Sequence, residues 1–308
     1  MKYLLLFLLQ VIVLQHCLAQ EDSLAFVHAK WAVKKIAPGV ELRQCWFDHS
    51  LFGSNQNISI LEIKLNKKNR IDVEADSTHL KPTSAFGVEH DALAAINGTF
   101  FDMKNGGSVD YIRLDGKVLN ETRLGLGKNT GRTFYQKAGI VISPEKVSIE
   151  KWNGAADWEN HLPGEDVIVT GPLLIEHHIR VQLDTISFYV NRHPRTAVAL
   201  IRNKVLLITV DGRNQKAAGM SLSELANILK WLQADEGVNL DGGGSTTMWI
   251  NHFPNDGVVN YPSDNKKMEK SALYTPGMDL DKLPPDTQKW DHSGQRPVAN
   301  VLVVNKKK

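Results

Sequence analysis

The segment VNLDGGGSTTMWI, residues 238–250, joins two apolar runs through one aspartate, three consecutive glycines and three hydroxyl side chains. Glycine loses more backbone entropy on folding than any other residue, so three in a row indicate backbone that passes very close to another group. A tight hairpin with solvated threonines is the alternative, but the flanking apolar runs favour a loop held between two buried strands. We expect the glycines to present N–H groups to an anionic ligand beside the Asp241 carboxylate.

The composition is typical of a globular protein and argues against several other classes. With 308 residues, 42% of them hydrophobic and 23% charged, the chain can bury one large core or two modest ones. The formal net charge of +2 is too small to indicate nucleic acid as a partner. We see no internal repeat or low-complexity tract, and the sequence leaves the oligomeric state open.

The first 19 residues predict a signal peptide. Lys2 precedes the apolar run Leu4–Leu14, which is too short to span a bilayer, and Cys17-Leu18-Ala19 supplies small residues at a cleavage site. We therefore expect the mature chain to begin near Gln20 and to contain no integral membrane span.

The number of cysteines indicates in which cellular compartment the protein resides. The two cysteines are Cys17 and Cys45, so loss of the signal peptide leaves Cys45 without an intramolecular partner. An exported chain without disulfides favours a bacterial envelope over a disulfide-built ectodomain. A lipoprotein acylated at Cys17 is disfavoured, because bulky His16 stands where a small residue is expected. We predict an exported protein, either periplasmic or secreted.

Short β-branched or alternating runs predict many strands and few helices. The predicted strands are Ile58–Leu65, Ile71–Ala75, Ile140–Ile142, Val147–Ile149, Val167–Thr170, Ile186–Val190, Ala197–Ile201, Val205–Val210 and Val298–Val304. Ser221 and Glu224 form a capping box at the start of an amphipathic helix, and a second helix is predicted at His90–Ala95. Residues 256–285 predict a long surface loop. The fold class is α+β, a mixed, largely antiparallel twisted sheet with a few packed helices.

Polar side chains stand at the ends of these strands. Asp211 and Arg213 follow Val205–Val210, Asn97 follows an apolar run, and Arg195 precedes Ala197–Ile201. Each alone is weak, because an Asp-Gly pair is usually a turn and an arginine at a strand end is usually solvated. Together with Asp241 they are typical of a site for an anionic, hydroxyl-rich ligand.

The order of seven motifs along the chain resembles the phosphodiester glycosidase family. The motifs are NGTFFD (97–102), GPLLI (171–175), RHPRTAVAL (192–200), TVDGRN (209–214), NLDGGGSTT (239–247), VNYPSD (259–264) and RPVANVLVV (296–304). DGGGS combined with DGR and PRT is far more specific than any single motif. After the predicted signal peptide over 1–19, the resemblance implies a catalytic domain over 85–308, preceded by an N-terminal β-rich extension over 20–84 that does not visibly match the family.

The resemblance also implies roles for the matching residues. Asp241 and Asp211 are the expected catalytic residues. The expected substrate-binding residues are Asn97, Arg195, Thr196, Arg213, Gly242, Gly243, Gly244 and Ser245. The expected substrate is a sugar-1-phosphodiester or phosphorylated glycan of an envelope or host, with N-acetylglucosamine as one candidate sugar.

The chemistry of a glycosyl phosphate suits these residue types. Two carboxylates flank the oxocarbenium-like transition state of most glycosidases. A phosphate monoester leaves with less protonation than a sugar alkoxide, so Arg195 or Arg213 could partly replace a general acid. Asp241 then acts as nucleophile or base, and Asp211 as its partner or as an orienting clamp. The sequence leaves retention and inversion open.

Two other functions remain open, and neither a metal nor another cofactor is expected. A non-catalytic envelope module could bind an anionic glycan through the same pocket, although it would not need paired aspartates. A hydrolase of ordinary polysaccharide bonds would need a stronger acid than these motifs offer. His177 and His178 are adjacent, so in a regular strand they would point to opposite faces and could not share one metal ion. The glycosylation sequons at Asn57, Asn97 and Asn120 are short enough to occur by chance, and we assign no glycan to them.

Overall fold

The computed structural model describes residues 20–65, 68–124, 131–144, 146–264 and 289–307. Within these residues the strands form three sheets of eight, five and four strands, and every strand pairing is antiparallel. The predicted α+β class with largely antiparallel sheet is therefore confirmed, with three sheets where the sequence suggested one.

The eight-stranded sheet carries most of the predicted motif strands. With strands numbered along the chain, its order is β1-β2-β3-β14-β13-β15-β11-β12. The bounds in that order are Ala32–Ala37, Val40–Leu51, Ser54–Lys64, Lys204–Val210, Arg195–Ile201, Glu236–Asn239, Leu173–Glu176 and Ile179–Arg180.

Two smaller sheets complete the β structure. The five-stranded sheet has the order β7-β6-β10-β8-β9, with bounds Lys117–Asn120, Ile112–Leu114, Asp166–Thr170, Ala138–Ser143 and Lys146–Lys151. The four-stranded sheet has the order β16-β5-β17-β4, with bounds Met248–Ile250, Ala94–Asn97, Asn300–Lys306 and Asn69–Ala75.

Few helices accompany the sheets. They are α1 over residues 20–27, α2 Thr83–Glu89, α3 Ser187–Val190 and α4 Leu222–Trp231. The predicted capping box of α4 is confirmed, because Glu224 N donates to Ser221 Oγ at 3.2 Å and Ser221 N donates to Glu224 Oε2 at 2.8 Å. Leu225 and Leu229 are fully buried against the eight-stranded sheet, as the helical spacing predicts.

The eight-stranded sheet is buried on both faces. Along β3, Ile58 and Ile60 pack towards α4, whereas Leu61 and Ile63 point to the opposite face and join the core shared with the other sheets. This split follows from the two-residue period of a strand. A sheet covered on both faces is a rigid base for loops at the strand ends.

Two sequence-based predictions of local structure are wrong. Helix α2 lies at Thr83–Glu89, and the predicted helix at His90–Ala95 instead leads into β5, which pairs with β16 and β17. Short apolar runs fit a buried strand and a buried helix equally well, so neighbouring strands decide. Ile186–Val190 contains α3 rather than a strand, with Ile186 41% and Val190 52% exposed.

Other predictions fall at turns or beyond the described residues. His177 and His178 form the turn between β11 and β12, both with positive φ, so the strand argument about their side chains does not apply. The predicted surface loop lies largely outside the described residues, at positions 265–288.

Residues 20–84 share sheets with the rest of the chain. Strand β3 pairs along its length with β14, and β4 pairs with β17. The strands before the motif region are thus built into two of the three sheets. Among the described residues, none of the helices is both long and apolar enough to cross a membrane.

Candidate active site

The sheet register gathers the predicted site residues at one edge. Arg195 at the start of β13 stands opposite Val210, the last residue of β14, and Ala197 stands opposite Asn239, the last residue of β15. Asp211 and Asp241 follow those two strand ends within two residues. Antiparallel pairing therefore converts motifs far apart in sequence into neighbours.

The main chain of Asp241 is fixed from both sides. Its N–H donates to Gly98 O at 3.0 Å, and its carbonyl accepts a hydrogen bond from Asn97 Nδ2 at 2.7 Å. Asn97 Oδ1 in turn accepts from Thr196 Oγ1 at 2.8 Å and from Thr247 N at 3.1 Å. Asn97 and Thr196 are fully buried, so the structure shows them tying the strand ends together. Their expected contact with substrate stays a prediction.

Asp241 as a whole residue is half-buried. Its Oδ1 accepts a hydrogen bond from Gly242 N at 2.9 Å. Burial raises the pKa of Asp241, while the Ser245 hydroxyl, the Arg296 charge, the Gly242 amide and the Arg213 charge lower it. Asp241 is thus a well-positioned carboxylate with accepting capacity left for a ligand.

Each of the three glycines is needed because a neighbouring group occupies the place of a Cβ. A Cβ would lie 2.6 Å from Pro194 O at Gly242, 2.9 Å from Arg213 Nη2 at Gly243, and 2.3 Å from Arg296 Nη2 at Gly244. Gly243 also has φ of +62°, which L side chains rarely adopt. The close approach predicted from the glycine run is therefore real, and two of the groups approached are guanidinium ions.

The hydrogen bonds of the glycine N–H groups bear on the expected anion-binding nest, while substrate contact by Gly242, Gly243 and Gly244 stays a prediction. Gly242 N donates to Asp241 Oδ1 at 2.9 Å, and Gly243 N donates to Pro194 O at 2.9 Å. Two of the three N–H groups are therefore used inside the protein. The glycines instead bring Arg213 and Arg296 close to Asp241.

Arg195 is a buried cation that pairs with no carboxylate in the described part of the chain. Nε donates to Met220 O at 2.8 Å and Nη2 donates to Phe188 O at 2.7 Å and Asn191 O at 2.9 Å, while the described residues offer no acceptor to Nη1. Burial and, to a lesser extent, the nearby charge of Arg213 lower the pKa of Arg195 to about 9, while the charge of Glu224 opposes this shift. Two neighbouring cations of this kind favour an anionic ligand.

Aromatic rings lie beside Arg195. The Phe188 ring centroid is 4.8 Å from the Arg195 guanidinium carbon, and the Phe100 ring lies 6.1 Å from Phe188 and 4.7 Å from Tyr135. All three rings are partly exposed. Half-exposed aromatic faces next to a buried cation are suited to the ring of a bound organic group.

Asp211 is held much more tightly than Asp241. Its Oδ2 accepts from Asn57 Nδ2 at 2.7 Å, and Oδ1 accepts from Asn260 Nδ2 and Tyr261 N, each at 3.0 Å. Asp211 is only 2% exposed, and burial raises its pKa to about 6 although all three hydrogen bonds lower it. The carboxylate thus joins three chain segments, and its expected catalytic role stays a prediction.

The sequence analysis did not single out Arg296. This arginine forms a two-point ion pair with Asp264, with Nε 2.8 Å from Oδ2 and Nη2 3.2 Å from Oδ1. Its charge also lowers the pKa of Asp241. Arg296 and Asp264 lie within the motifs RPVANVLVV and VNYPSD, so the order of the family motifs already contained a sequence signal for both residues.

Asp110 was also missed. It is fully buried, and its Oδ1 accepts a hydrogen bond from Gln136 Nε2 at 2.9 Å while Thr99 Oγ1 lies 3.4 Å from Oδ2. Burial raises its pKa to about 8, and the charge of Asp241 contributes to the rise. A lone aspartate between apolar Val109 and Tyr111 was the only sequence signal for this group.

No metal-binding cluster is found in the described ranges, since no three or more His, Cys, Asp or Glu residues there are placed to hold one ion. The candidate site is instead a carboxylate, Asp241, near Arg213 and Arg296, with Arg195 beside Arg213.

Known proteins resemble this chain in sequence and in structure. Residues 90–305 match the family described as phosphodiester glycosidase. The N-acetylglucosamine-1-phosphodiester alpha-N-acetylglucosaminidase of Mus musculus is 27% identical over 180 residues, which is 56% of this chain and 33% of that protein. The match therefore spans about a third of the curated relative.

Solved structures share the fold. The zebrafish N-acetylglucosamine-1-phosphodiester alpha-N-acetylglucosaminidase catalytic domain, auto-inhibited by its pro-peptide, has a TM-score of 0.62 at 20% identity, covering 90% of this chain and 87% of that chain. A hypothetical protein from Synechocystis has a TM-score of 0.57 at 15% identity, covering 89% and 63%. The family match covers most of the chain and includes every candidate site residue, so this chain belongs to the phosphodiester glycosidase family.

Proposed function

We propose that this protein hydrolyses the bond between a sugar and phosphate in a sugar-1-phosphodiester, releasing the sugar and a phosphomonoester. The observation that carries the proposal is the carboxylate of half-buried Asp241, a residue whose main chain is fixed by hydrogen bonds and which lies close to Arg213 and Arg296. Membership of a family of phosphodiester glycosidases supports this assignment.

The proposed reaction uses Asp241 at the anomeric carbon. As the bond from that carbon to the phosphate oxygen breaks, the oxygen keeps the electron pair and the phosphomonoester departs as an anion. Arg195 and Arg213 neutralise the departing charge, which reduces the need for a general acid. In one route Asp241 bonds to the anomeric carbon, and water then hydrolyses this bond. In the other route Asp241 removes a proton from the water that attacks the anomeric carbon.

Two further carboxyl groups support the site in this proposal. Asp211 accepts three hydrogen bonds from the protein, so we assign it to positioning the loop that carries Arg213. Asp110 is buried beside the Asp241 loop with its pKa raised to about 8, so its carboxyl group is mostly neutral at pH 7. A neutral Asp110 adds no second negative charge beside Asp241. The positive charges of the arginines therefore remain available to an anionic substrate.

The physiological setting is part of the proposal. The signal-like residues 1–19 support export, to a periplasm or out of the cell, and the relatives' printed names support N-acetylglucosamine as the first sugar to test. We also propose that residues 20–84 and 85–308 act as one catalytic unit, because their strands share sheets.

A substrate panel tests the function. The chain from residue 20 onward is incubated with diesters of α- and β-N-acetylglucosamine 1-phosphate, glucose 1-phosphate and mannose 1-phosphate, and with an ordinary aryl glycoside. Proton NMR follows the released sugar, and its first-formed anomer distinguishes retention from inversion. Release of sugar and phosphomonoester from a diester supports the proposal. Binding of the diesters without turnover would favour the non-catalytic glycan-binding module instead, and turnover of the aryl glycoside alone would favour an ordinary glycosidase.

A further inference from the structure

The loop that carries Arg213 is contacted on one side by the hairpin of β2 and β3. Trp46 Nε1 donates to Lys216 O at 2.8 Å, and Asn55 Nδ2 donates to Gln215 O at 2.8 Å. Ala218 N donates to Asn55 O at 2.9 Å. The hairpin thus binds the main chain of the loop tip at three residues, Gln215, Lys216 and Ala218.

Further contacts bind both ends of the same loop. Gln56 Nε2 donates to Gly219 O at 2.8 Å, Asn57 Nδ2 donates to Asp211 Oδ2 at 2.7 Å, and Asp211 N donates to Asn57 O at 3.0 Å. Residues 46–57 therefore contact residues 211–219 from end to end. All of these donors and acceptors from the hairpin lie before residue 90, where the family match begins.

The loop tip also makes short-range hydrogen bonds of its own, among them Lys216 N to Asn214 Oδ1 at 3.0 Å. The tip is a turn in which Asn214 and Ala217 exchange main-chain hydrogen bonds, and Gln215 and Lys216 are exposed. Arg213 has φ of +61°, a conformation that L residues adopt only when their surroundings impose it. Hydrogen bonds from the hairpin hold the main chain of this loop, and the position of that main chain sets where the Arg213 side chain begins.

We propose that the β2–β3 hairpin is a positioning element of the active site, in which Trp46 and Asn55 clamp the loop that presents Arg213 to the phosphate of the substrate. The role of Arg213 rests on the proposed function, whereas the clamping of the loop does not. Trp46 is 51% exposed, so its indole contributes a hydrogen bond to the loop more than it contributes to a core. Asn57, through Asp211, fixes the base of the same loop.

The test removes one clamp hydrogen bond at a time. Trp46→Phe deletes the indole N–H, and Asn55→Ala deletes the side-chain amide. Trp152→Phe is the matched control, because Trp152 Nε1 also donates to a main-chain carbonyl, Ala155 O at 2.7 Å, but lies outside the site. On a diester that the wild type cleaves, we expect KM to rise about three- to tenfold in each clamp variant, the change that follows from one lost hydrogen bond. We expect kcat to stay within about twofold, and the control to match the wild type.

A second measurement needs no substrate. Trypsin cleaves after Lys216, whose carbonyl is the group that Trp46 holds, so the clamp variants should be cut at the Lys216–Ala217 bond about three- to tenfold faster than wild type and control. Inorganic phosphate should slow this cleavage in the wild type if Arg213 binds phosphate.

The outcomes separate the two proposals. Unchanged tryptic cleavage and unchanged KM in both clamp variants would overturn the positioning role. Faster cleavage at Lys216 in a protein that hydrolyses no diester would support the clamp and count against the proposed function. A loss of kcat and thermal midpoint with unchanged KM would show that the hairpin acts on general stability only, which also overturns the inference.

Discussion

Asp211 and Asp241 occupy equivalent places in the fold and have different surroundings. Each follows the end of a strand that pairs with β13, and each precedes glycine. Asp211 accepts three hydrogen bonds and is 2% exposed, whereas Asp241 accepts one from Gly242, is partly exposed and lies near two arginine charges. A carboxylate saturated by protein donors stabilises the fold, while one with accepting capacity left can act on a ligand.

Replacement of Asp241 should have the largest effect on activity. Asp241→Asn keeps the size of the side chain but removes the nucleophile or base, so kcat on a cleaved diester should fall by about 10³-fold or more. The thermal midpoint should change little, because the loop is held through its main chain. Steady-state kinetics and a melting curve measure the two effects. Near-wild-type turnover would remove Asp241 from the mechanism and restore the binding-module interpretation.

The same change at Asp211 should reverse the balance of effects. In Asp211→Asn an amide NH₂ must face one of three donors, Asn57 Nδ2, Asn260 Nδ2 or Tyr261 N, which leaves a buried donor unsatisfied. We expect a loss of about 2–3 kcal/mol in unfolding free energy, or about 5–10 °C in thermal midpoint. Activity should fall about tenfold, well below the Asp241→Asn effect. A loss of 10³-fold in kcat with an unchanged midpoint would make Asp211 a catalytic partner.

A substitution in the glycine run tests whether Arg213 serves Asp241. Gly243→Ala places a Cβ 2.9 Å from Arg213 Nη2, whereas Gly116→Ala has similar backbone strain, at φ of +75°, with no atom within 4 Å of the new Cβ. We expect KM to rise about tenfold in Gly243→Ala through displacement of Arg213, and to stay near wild type in Gly116→Ala. Equal kinetic defects in both variants would assign the effect to backbone strain alone.

The last prediction concerns the pH dependence of stability rather than the rate of catalysis. Burial raises the pKa of Asp110 in the folded protein from its ordinary value of 3.8 to about 8, so its stabilising contribution is complete below about pH 4 and is lost as pH rises to about 8. Asp110→Asn should flatten the fall in unfolding free energy across this window by about 1.4 kcal/mol per pH unit. Denaturant unfolding at pH 5, 6, 7 and 8 measures the slope.

Glu74 provides the control for that measurement. Its pKa is raised by burial to about 7, so Glu74→Gln should flatten the slope only below about pH 7. A slope between pH 7 and 8 that is identical in the wild type and in Asp110→Asn would show that Asp110 is ionised in the folded protein.

The sequence by itself determined the strand-rich class, the capped helix α4, the close approach at Gly242–Gly244 and the family. These features depend on local signals: residue period, a capping box, glycine chemistry and motif order. The predicted helix at His90–Ala95 and strand at Ile186–Val190 were wrong because a short apolar run fits either conformation until neighbouring strands select one.

Tertiary structure alone decided which polar groups meet. The register of β13 with β14 and β15 sets Arg195, Asp211 and Asp241 at one edge, and long-range contacts bring Asn57 to Asp211 and Arg296 to the Asp241 loop. The local sequence does not show which of Asp211 and Asp241 is saturated by hydrogen bonds, since both are aspartates before glycine at a strand end. Their difference comes from donors supplied by residues 57, 260 and 261, because the hydrogen bonds and desolvation of a side chain are properties of the assembled fold.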